Sequence, residues 1–451
     1  MRYPTDAATR SLSVLVLFTV FAGDVWRNLL GWWGYAALVA VITAVVAVMM
    51  TRRRLWGAVA FWRLPRTLVL FGVLAVVSLA WSFYPGATVL GILAQAATTL
   101  GALFLCAALS WPQLLSALGT ALNWILGLSL LFEFVVGAFV HSPVFPIFTD
   151  YGDRKVPNAF YWSQADLFHG GPIQGIVGNR NLLAFVAVLA LIVLIVQLAQ
   201  KLRRRGPALA WIVVALGTLA LTRSATAIGA LVITAAAFGV LVLARRASAG
   251  RRARVFAGAA AVAVLGAVTV GVLWQQVLSL FGKSEDLTGR LDIWNSVAGL
   301  AAERPAFGWG WVSYWVPWVE PFDDLAVRKG VTYLQAHNAW LDVWLQLGIV
   351  GLVLFIAFVL GAWHRSWWFA VEEPLDADGR ALPQVVVTLA PALLLTALVA
   401  QSFVESRILV EGGWVLLLVI GVKTKLDLQK VDQDLGAHPE PRPAGLSPAR
   451  R

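Results

Sequence analysis

Apolar runs near twenty residues recur along this chain, and they restrict its fold before anything else does. A run of that length crosses the hydrocarbon of a bilayer as one α-helix. A helix also satisfies its own backbone hydrogen bonds in a medium that offers no others. Taken in order, the runs give about twelve spans, at 11–30, 33–50, 67–84, 87–108, 113–135, 178–200, 207–223, 225–244, 255–276, 346–362, 385–402 and 408–422. The expected fold is an all-α polytopic membrane protein, with a single transmembrane domain over residues 1–422. With 59% hydrophobic and 13% charged residues, the chain has too little charge to cover the surface of a soluble protein. Its 22 tryptophans suit two interfacial belts. The single cysteine, Cys106, leaves no internal disulfide to form. No small-residue cleavage site follows the apolar stretch Ser11–Phe21, so the first span reads as a retained anchor.

The net charge of +11 raises nucleic acid as a partner, and placing the charges removes that reading. Arg52–Arg54, Lys201–Arg205 and Arg245–Arg254 follow the second, sixth and eighth spans, so they share one side. The positive-inside rule makes that side cytoplasmic and puts both termini there. The basic excess is then a topology signal, and the outer face is slightly acidic. Two outer segments are long, at about 137–177 and 277–345. Residues 423–451, polar and Pro-rich, read as a disordered cytoplasmic tail. Chemistry is expected at the outer face, where the long loops lie.

Three arginines there oppose the charge bias: Arg180 in GNRNLLAF, Arg223 in LTRSATAIGAL and Arg290 in LTGRLDIW. Guanidinium groups bind phosphate oxygens bidentately and stay charged at any working pH. Converging at one depth, the three would make an anion site. The plainer reading is interfacial anchoring, with salt bridges to Asp292 or Glu405. His337, in Gln335-Ala336-His337-Asn338, is a candidate general base, or a histidine hydrogen-bonded at a helix start. Glu405, in QSFVESRILVEGGW, could orient His337, pair with an arginine, or form a salt bridge with Arg407. Asn181, Asn338 and Asp342 are supporting candidates, and Asp342 could equally be a helix-surface acid. Trp81, Ser82 and Tyr84 in LAWSFYPG read first as belt residues. No histidine pair has a metal-ligand spacing such as HExxH, so no metal centre is expected.

GNRNLLAF, LTRSATA, LTGRLDIW, RPAFGWGW and AHNAWLDVWLQLGIVGLVLF occur in this order, with WSFYPG before them and SFVESRIL after. Together they resemble the O-antigen ligase / O-antigen polymerase superfamily over roughly residues 70 to 422, and the LTGR and final ES elements resemble its exopolysaccharide-polymerase members. The resemblance implies a GT-C-like glycosyltransferase in the bacterial cytoplasmic membrane, with its active site on the periplasmic side. Such an enzyme transfers a glycan from an undecaprenyl-diphosphate carrier to an acceptor sugar hydroxyl on a glycan or glycolipid, with inversion. It uses no nucleotide sugar, metal or other cofactor. Carried over by position, Arg223 and Arg290 hold the diphosphate, Arg180 assists, and His337 is the catalytic histidine. Many members place the middle arginine after the serine; here Arg223 precedes Ser224. The ligase reading leads, polymerase is the alternative, and a protein O-oligosaccharyltransferase would differ only in acceptor. A lipid-linked glycan transporter or flippase is the competing class. It would need charges buried mid-span, whereas these cluster at one face.

Overall fold

The computed structural model describes residues 6–149, 156–272, 284–328, 330–372 and 386–436. Its helices, in chain order, are α1 (Ala7–Phe21), α2 (Gly23–Arg52), α3 (Arg66–Val77), α4 (Pro85–Ala108), α5 (Trp111–Val135), α6 (Arg180–Ala199), α7 (Arg205–Thr222), α8 (Ala225–Arg246), α9 (Ala249–Val272), α10 (Ser284–Glu303), α11 (Ala339–Val371), α12 (Leu389–Ser402) and α13 (Glu411–Gly436). A short antiparallel ribbon pairs β1 (Val327–Arg328) with β2 (Val331–Thr332). Among the described residues 7 helices are long and apolar enough to span a bilayer, namely α2, α4, α5, α6, α7, α8 and α11. Shorter apolar helices cover Ala7–Phe21, Arg66–Ala80 and Val386–Ser402. The protein is thus a largely helical, polytopic membrane protein.

The bundle is organised around α6. Its sequence, RNLLAFVAVLALIVLIVQLA, is apolar on every face, which marks a helix surrounded by others. Residues Leu183–Leu194 are buried in an unbroken run. Helices α5, α7, α8 and α12 pack around it. A second layer joins α4, α11 and α13. Phe71, Phe355 and Trp414 meet at the contact of α3, α11 and α13, with ring centroids 5.6 and 5.9 Å apart.

The structure departs from the expected spans where local chemistry overrides the apolar pattern. The first break falls at Ala22–Gly23, ahead of the expected gap between residues 30 and 33. Asp24 lies in the first turn of α2, where its charge favours a helix start. The expected gap survives as a kink inside α2 at Gly31, with φ 70°. The outer segment 277–345, expected to be a loop, contains α10. Ile293, Val297 and Ala301 recur at the four-residue spacing of one helical face, and they pack on a small separate core with Tyr84, Trp315 and Phe322. The opposite face of α10 is exposed, so no long apolar run announced it. Residues 423–436, expected to be disordered, continue α13 as helix. Lys423 Nζ donates to the Leu109 carbonyl (2.7 Å) and Trp111 Nε1 to Asp427 Oδ2 (2.9 Å), which fastens this segment to the start of α5. Residues 437–451 lie outside the described residues.

Two devices shape the end of the bundle where α6, α8, α11 and α13 begin. The first is a break in α11 at Gly348, with φ 65° and ψ −168°. A Cβ there would sit 2.2 Å from the Ala306 backbone, so only glycine fits. The severed helical hydrogen bonds are replaced by the loop RPAFGWGW. Ile349 and Val350 donate to the carbonyls of Pro305 (2.8 Å) and Ala306 (3.3 Å), while Trp309 and Gly310 donate to those of Leu345 (3.0 Å) and Gln346 (2.9 Å). Buried backbone groups at a break need such partners. Tyr84, read from the sequence as a belt aromatic, belongs to this junction: it is buried, and its hydroxyl donates to the Gly310 carbonyl (2.8 Å). The second device is Glu133 near the end of α5. Its carboxylate accepts the N–H groups of Gln174 (2.9 Å) and Gly175 (2.7 Å) and the Ser163 hydroxyl (2.8 Å), which pins the long loop after α5 to the bundle.

Candidate active site

Glu405 is the hub of the site. It lies in the turn between α12 and α13 and is 7% exposed. A buried carboxylate needs charge and hydrogen-bond partners to stay ionised, and both oxygens have them. Oε1 accepts from Arg290 Nη2 (2.9 Å) and, at 3.4 Å, from Asn181 Nδ2. Oε2 lies 2.9 Å from His337 Nδ1. Burial alone would raise the Glu405 pKa, but His337 and Arg290 outweigh it, and the carboxyl titrates below its ordinary range. Being ionised, Glu405 can only accept, so His337 Nδ1 carries the proton and donates it. In the neutral imidazole that leaves the Nε2 lone pair as the acceptor.

Each partner is held by its own local structure. Asn179 caps α6, accepting from the N–H groups of Asn181 (2.9 Å) and Leu182 (3.1 Å). The amide of Asn181 then reaches Glu405 through Nδ2, while its Oδ1 accepts from the Ser224 hydroxyl (2.8 Å). Ser224 is the N-cap of α8. His337 adopts a left-handed backbone with φ 51°, an uncommon conformation for a non-glycine residue that costs on the order of 1 kcal/mol. Asp342 holds it there. That carboxylate is 1% exposed, accepts from the Ala336 N–H (3.0 Å) and also takes the Ser406 hydroxyl. It therefore braces the turn that carries His337 against the turn that carries Glu405. The alternative of a helix-surface acid does not hold for Asp342. Tyr333 packs edge-on against the imidazole, with centroids 5.3 Å apart.

The remaining candidates take different places. Arg290 is on α10, with its side chain 13% exposed against Glu405. Arg223 is exposed, at the left-handed C-cap of α7 with φ 50°, next to the Ser224 that bonds Asn181. No carboxylate pairs with Arg223 among the described residues. Arg180 begins α6 beside Asn181. Asn338 is the N-cap of α11, accepting from the N–H groups of Trp340 (3.0 Å) and Leu341 (3.2 Å), so its side chain starts the helix rather than entering the cluster. Arg407, the other sequence candidate for Glu405, pairs with Glu411 (2.5 Å). Ser224 and Ser406 escaped the sequence reading. The only trace of either was a serine at a helix start or beside the glutamate in ES. Among the described residues no three His, Cys, Asp or Glu side chains group as metal ligands would.

Such an arrangement offers a proton acceptor, an oriented carboxylate behind it, and guanidinium groups alongside. It suits deprotonation of a hydroxyl next to a bound anion. Residues 210–356 match the family model described as O-antigen ligase. That segment contains Arg223, Arg290 and His337. The chain is also 29% identical over 208 residues to the exopolysaccharide production protein ExoQ of Rhizobium meliloti (strain 1021), a match covering 44% of this chain and 42% of that relative. The chain thus spans less than half the length of that relative.

Proposed function

We propose, from the match of residues 210–356 to the O-antigen ligase family model and the geometry of the site, that this chain transfers a glycan from an undecaprenyl-diphosphate carrier to an acceptor sugar hydroxyl. The observation that carries the reading is the 2.9 Å contact of His337 Nδ1 with Glu405, whose other oxygen holds Arg290 at 2.9 Å. In the proposed step, His337 Nε2 takes the proton of the acceptor hydroxyl as that oxygen bonds to the anomeric carbon. The bond from that carbon to the diphosphate oxygen breaks, and the electron pair leaves with the carrier. Attack opposite the leaving group inverts the anomeric configuration. Arg223 and the unused donors of Arg290 face the developing charge, and Arg180 assists. A guanidinium carries five donors, so pairing with Glu405 leaves Arg290 able to bind phosphate as well.

The reading extends to topology: about twelve spans in a GT-C-like arrangement, both termini cytoplasmic, and the site at the outer face of the bacterial cytoplasmic membrane. The basic residues at the opposite end of the bundle support it. There Arg245 donates to Thr388 (2.7 Å) and Arg252 pairs with Glu372 (3.0 Å), as the positive-inside rule expects of cytoplasmic ends. The loop pinned by Glu133 is the proposed wall of the acceptor groove.

A ligase and a polymerase share this donor chemistry and differ in acceptor. The likeness to a protein of exopolysaccharide production favours a second, lipid-linked glycan as acceptor. Reconstitution in proteoliposomes with a defined undecaprenyl-diphosphate glycan tests both readings. A longer glycan still on the carrier marks a polymerase, and glycan moved to a different lipid marks a ligase. Carrier translocation with no new glycosidic bond would overturn the proposal.

A further inference from the structure

An open cavity of about 470 Å³, lined by Trp81, Arg304, Pro305, Ala306, Phe307 and Gly308, lies apart from the His337 cluster. It is walled by the loop that splices the broken helix α11. From Gly348 to Val371 that helix runs roughly 35 Å, enough to cross the hydrocarbon alone. Gly348 touches the Ala306 backbone, so the cavity sits at the outer hydrocarbon boundary. On one side it adjoins α3, whose Leu70, Val73, Val76 and Val77 are exposed as lipid-facing residues would be.

The cavity combines apolar walls with one unsatisfied cation. Phe307 is half exposed, and Trp81 packs edge-on against it with centroids 5.7 Å apart. The Arg304 guanidinium lies 3.9 Å from the ring centre of Phe83 and 4.7 Å from that of Trp309. These aromatic faces hold the charge in place but use none of its hydrogen-bond donors, and no carboxylate pairs with it among the described residues. A fixed guanidinium with free donors, beside apolar walls at the membrane boundary, is complementary to a lipid phosphate.

We infer that this cavity binds the lipid phosphate of the acceptor, as a second lipid-phosphate site distinct from the one that holds the donor. The inference rests on the proposed transferase reading. Arg290 and Arg304 lie on and just past the same helix, α10, about 20 Å apart along its axis at the α-helical rise. Two lipid-anchored substrates could therefore be held at one time, with their anchors separated and their glycans meeting near His337. Selecting lipid-anchored over free glycan would then be a property of Arg304 and Trp81, not of the catalytic cluster.

The test compares wild type with Arg304→Gln, Arg304→Lys and Trp81→Ala in proteoliposomes. Each variant is assayed with a phosphate-bearing lipid-linked acceptor and with the same glycan released from its lipid. Arg304→Gln should raise KM for the lipid-linked acceptor about tenfold or more, the worth of a charge-assisted hydrogen bond. It should leave kcat, donor KM and all use of the free glycan unchanged. Arg304→Lys should recover part of the loss, and Trp81→Ala should raise the same KM. Equal effects on both acceptors, or none on either, would overturn the inference. So would loss of co-purified phosphatidylglycerol, seen by native mass spectrometry, with acceptor KM unchanged, since that would mark a structural phospholipid. Failure of the transferase reading would show separately, as no transfer by wild type with either acceptor.

Discussion

Two charged clusters flank the turn between α12 and α13, built from the same residue types to opposite effect. On one side Asp24, Arg27, Arg407 and Glu411 close on one another. Arg407 pairs with Glu411 at 2.5 Å and meets Asp24 at 3.7 Å, and Arg27 pairs with Asp24. Two acids answer two arginines. Asp24 and Glu411 also sit in the first turns of α2 and α13, where helix dipoles favour them. This set staples the start of α2 to the start of α13. On the other side a single acid, Glu405, answers both Arg290 and His337, with Arg223 and Arg180 nearby. That cluster joins one carboxylate to a guanidinium and to a histidine whose Nε2 is unengaged among the described residues. A balanced cluster serves the fold. The other, with an open imidazole nitrogen and an exposed arginine beside it, is the one we propose for an incoming anion.

The contrast can be broken by mutation. Removing two contacts to the leaving group, with Arg223→Gln and Arg290→Gln together, should have the largest effect on rate. Each such contact is worth about a hundredfold, so the pair should cost up to about ten-thousandfold in kcat in reconstituted membranes. Glu405→Gln should come next. It keeps the shape but removes the charge behind His337, and a loss of about 10- to 100-fold in kcat is expected, with acceptor KM little changed. Asp24→Asn should act on stability instead. Leaving Arg27 and Arg407 without their shared acid should cost about 3 kcal/mol, read as a lower thermal midpoint in detergent, while kcat of the folded protein stays near wild type. A large kcat loss in Asp24→Asn would erase the distinction between the two clusters.

The smallest effect concerns pH. The folded pKa of Glu405 lies below its ordinary value of 4.5, because His337 and Arg290 outweigh the burial that would raise it. A depressed carboxylate pKa adds stability above the unfolded value, and that stability is lost as pH falls through the folded one. The part of the wild-type margin over Glu405→Gln that comes from this carboxylate should therefore shrink as pH falls below about 4.5. A margin that did not shrink below that pH would show that Glu405 is not the depressed group.

How far the sequence could foretell this depends on what each residue touches. Arg290, His337 and Glu405 were legible because polar groups next to apolar runs stand out, and because Glu405 had few charged partners to choose from at its depth. Asp342 was not. Five residues from His337 on a helix start, it looked like a surface acid, and only its contact with Ser406, far along the chain, makes it a brace. Helix α10 was hidden because only one of its faces is apolar and the other is exposed, so no long apolar run marks it. The motifs RPAFGWGW and QLGIVG could be noticed separately. That one repairs the break in the other follows from backbone hydrogen bonds that carry no side-chain signature.

The central claim is that His337, oriented by Glu405, takes the proton of the acceptor hydroxyl. Chemical rescue tests it most directly. His337→Ala should lose about 10²- to 10⁴-fold in kcat, with its thermal midpoint in detergent close to that of wild type. Added imidazole should restore part of that rate in proportion to its concentration, and should restore nothing in Arg290→Gln. Transfer by His337→Ala at the wild-type rate would contradict the account.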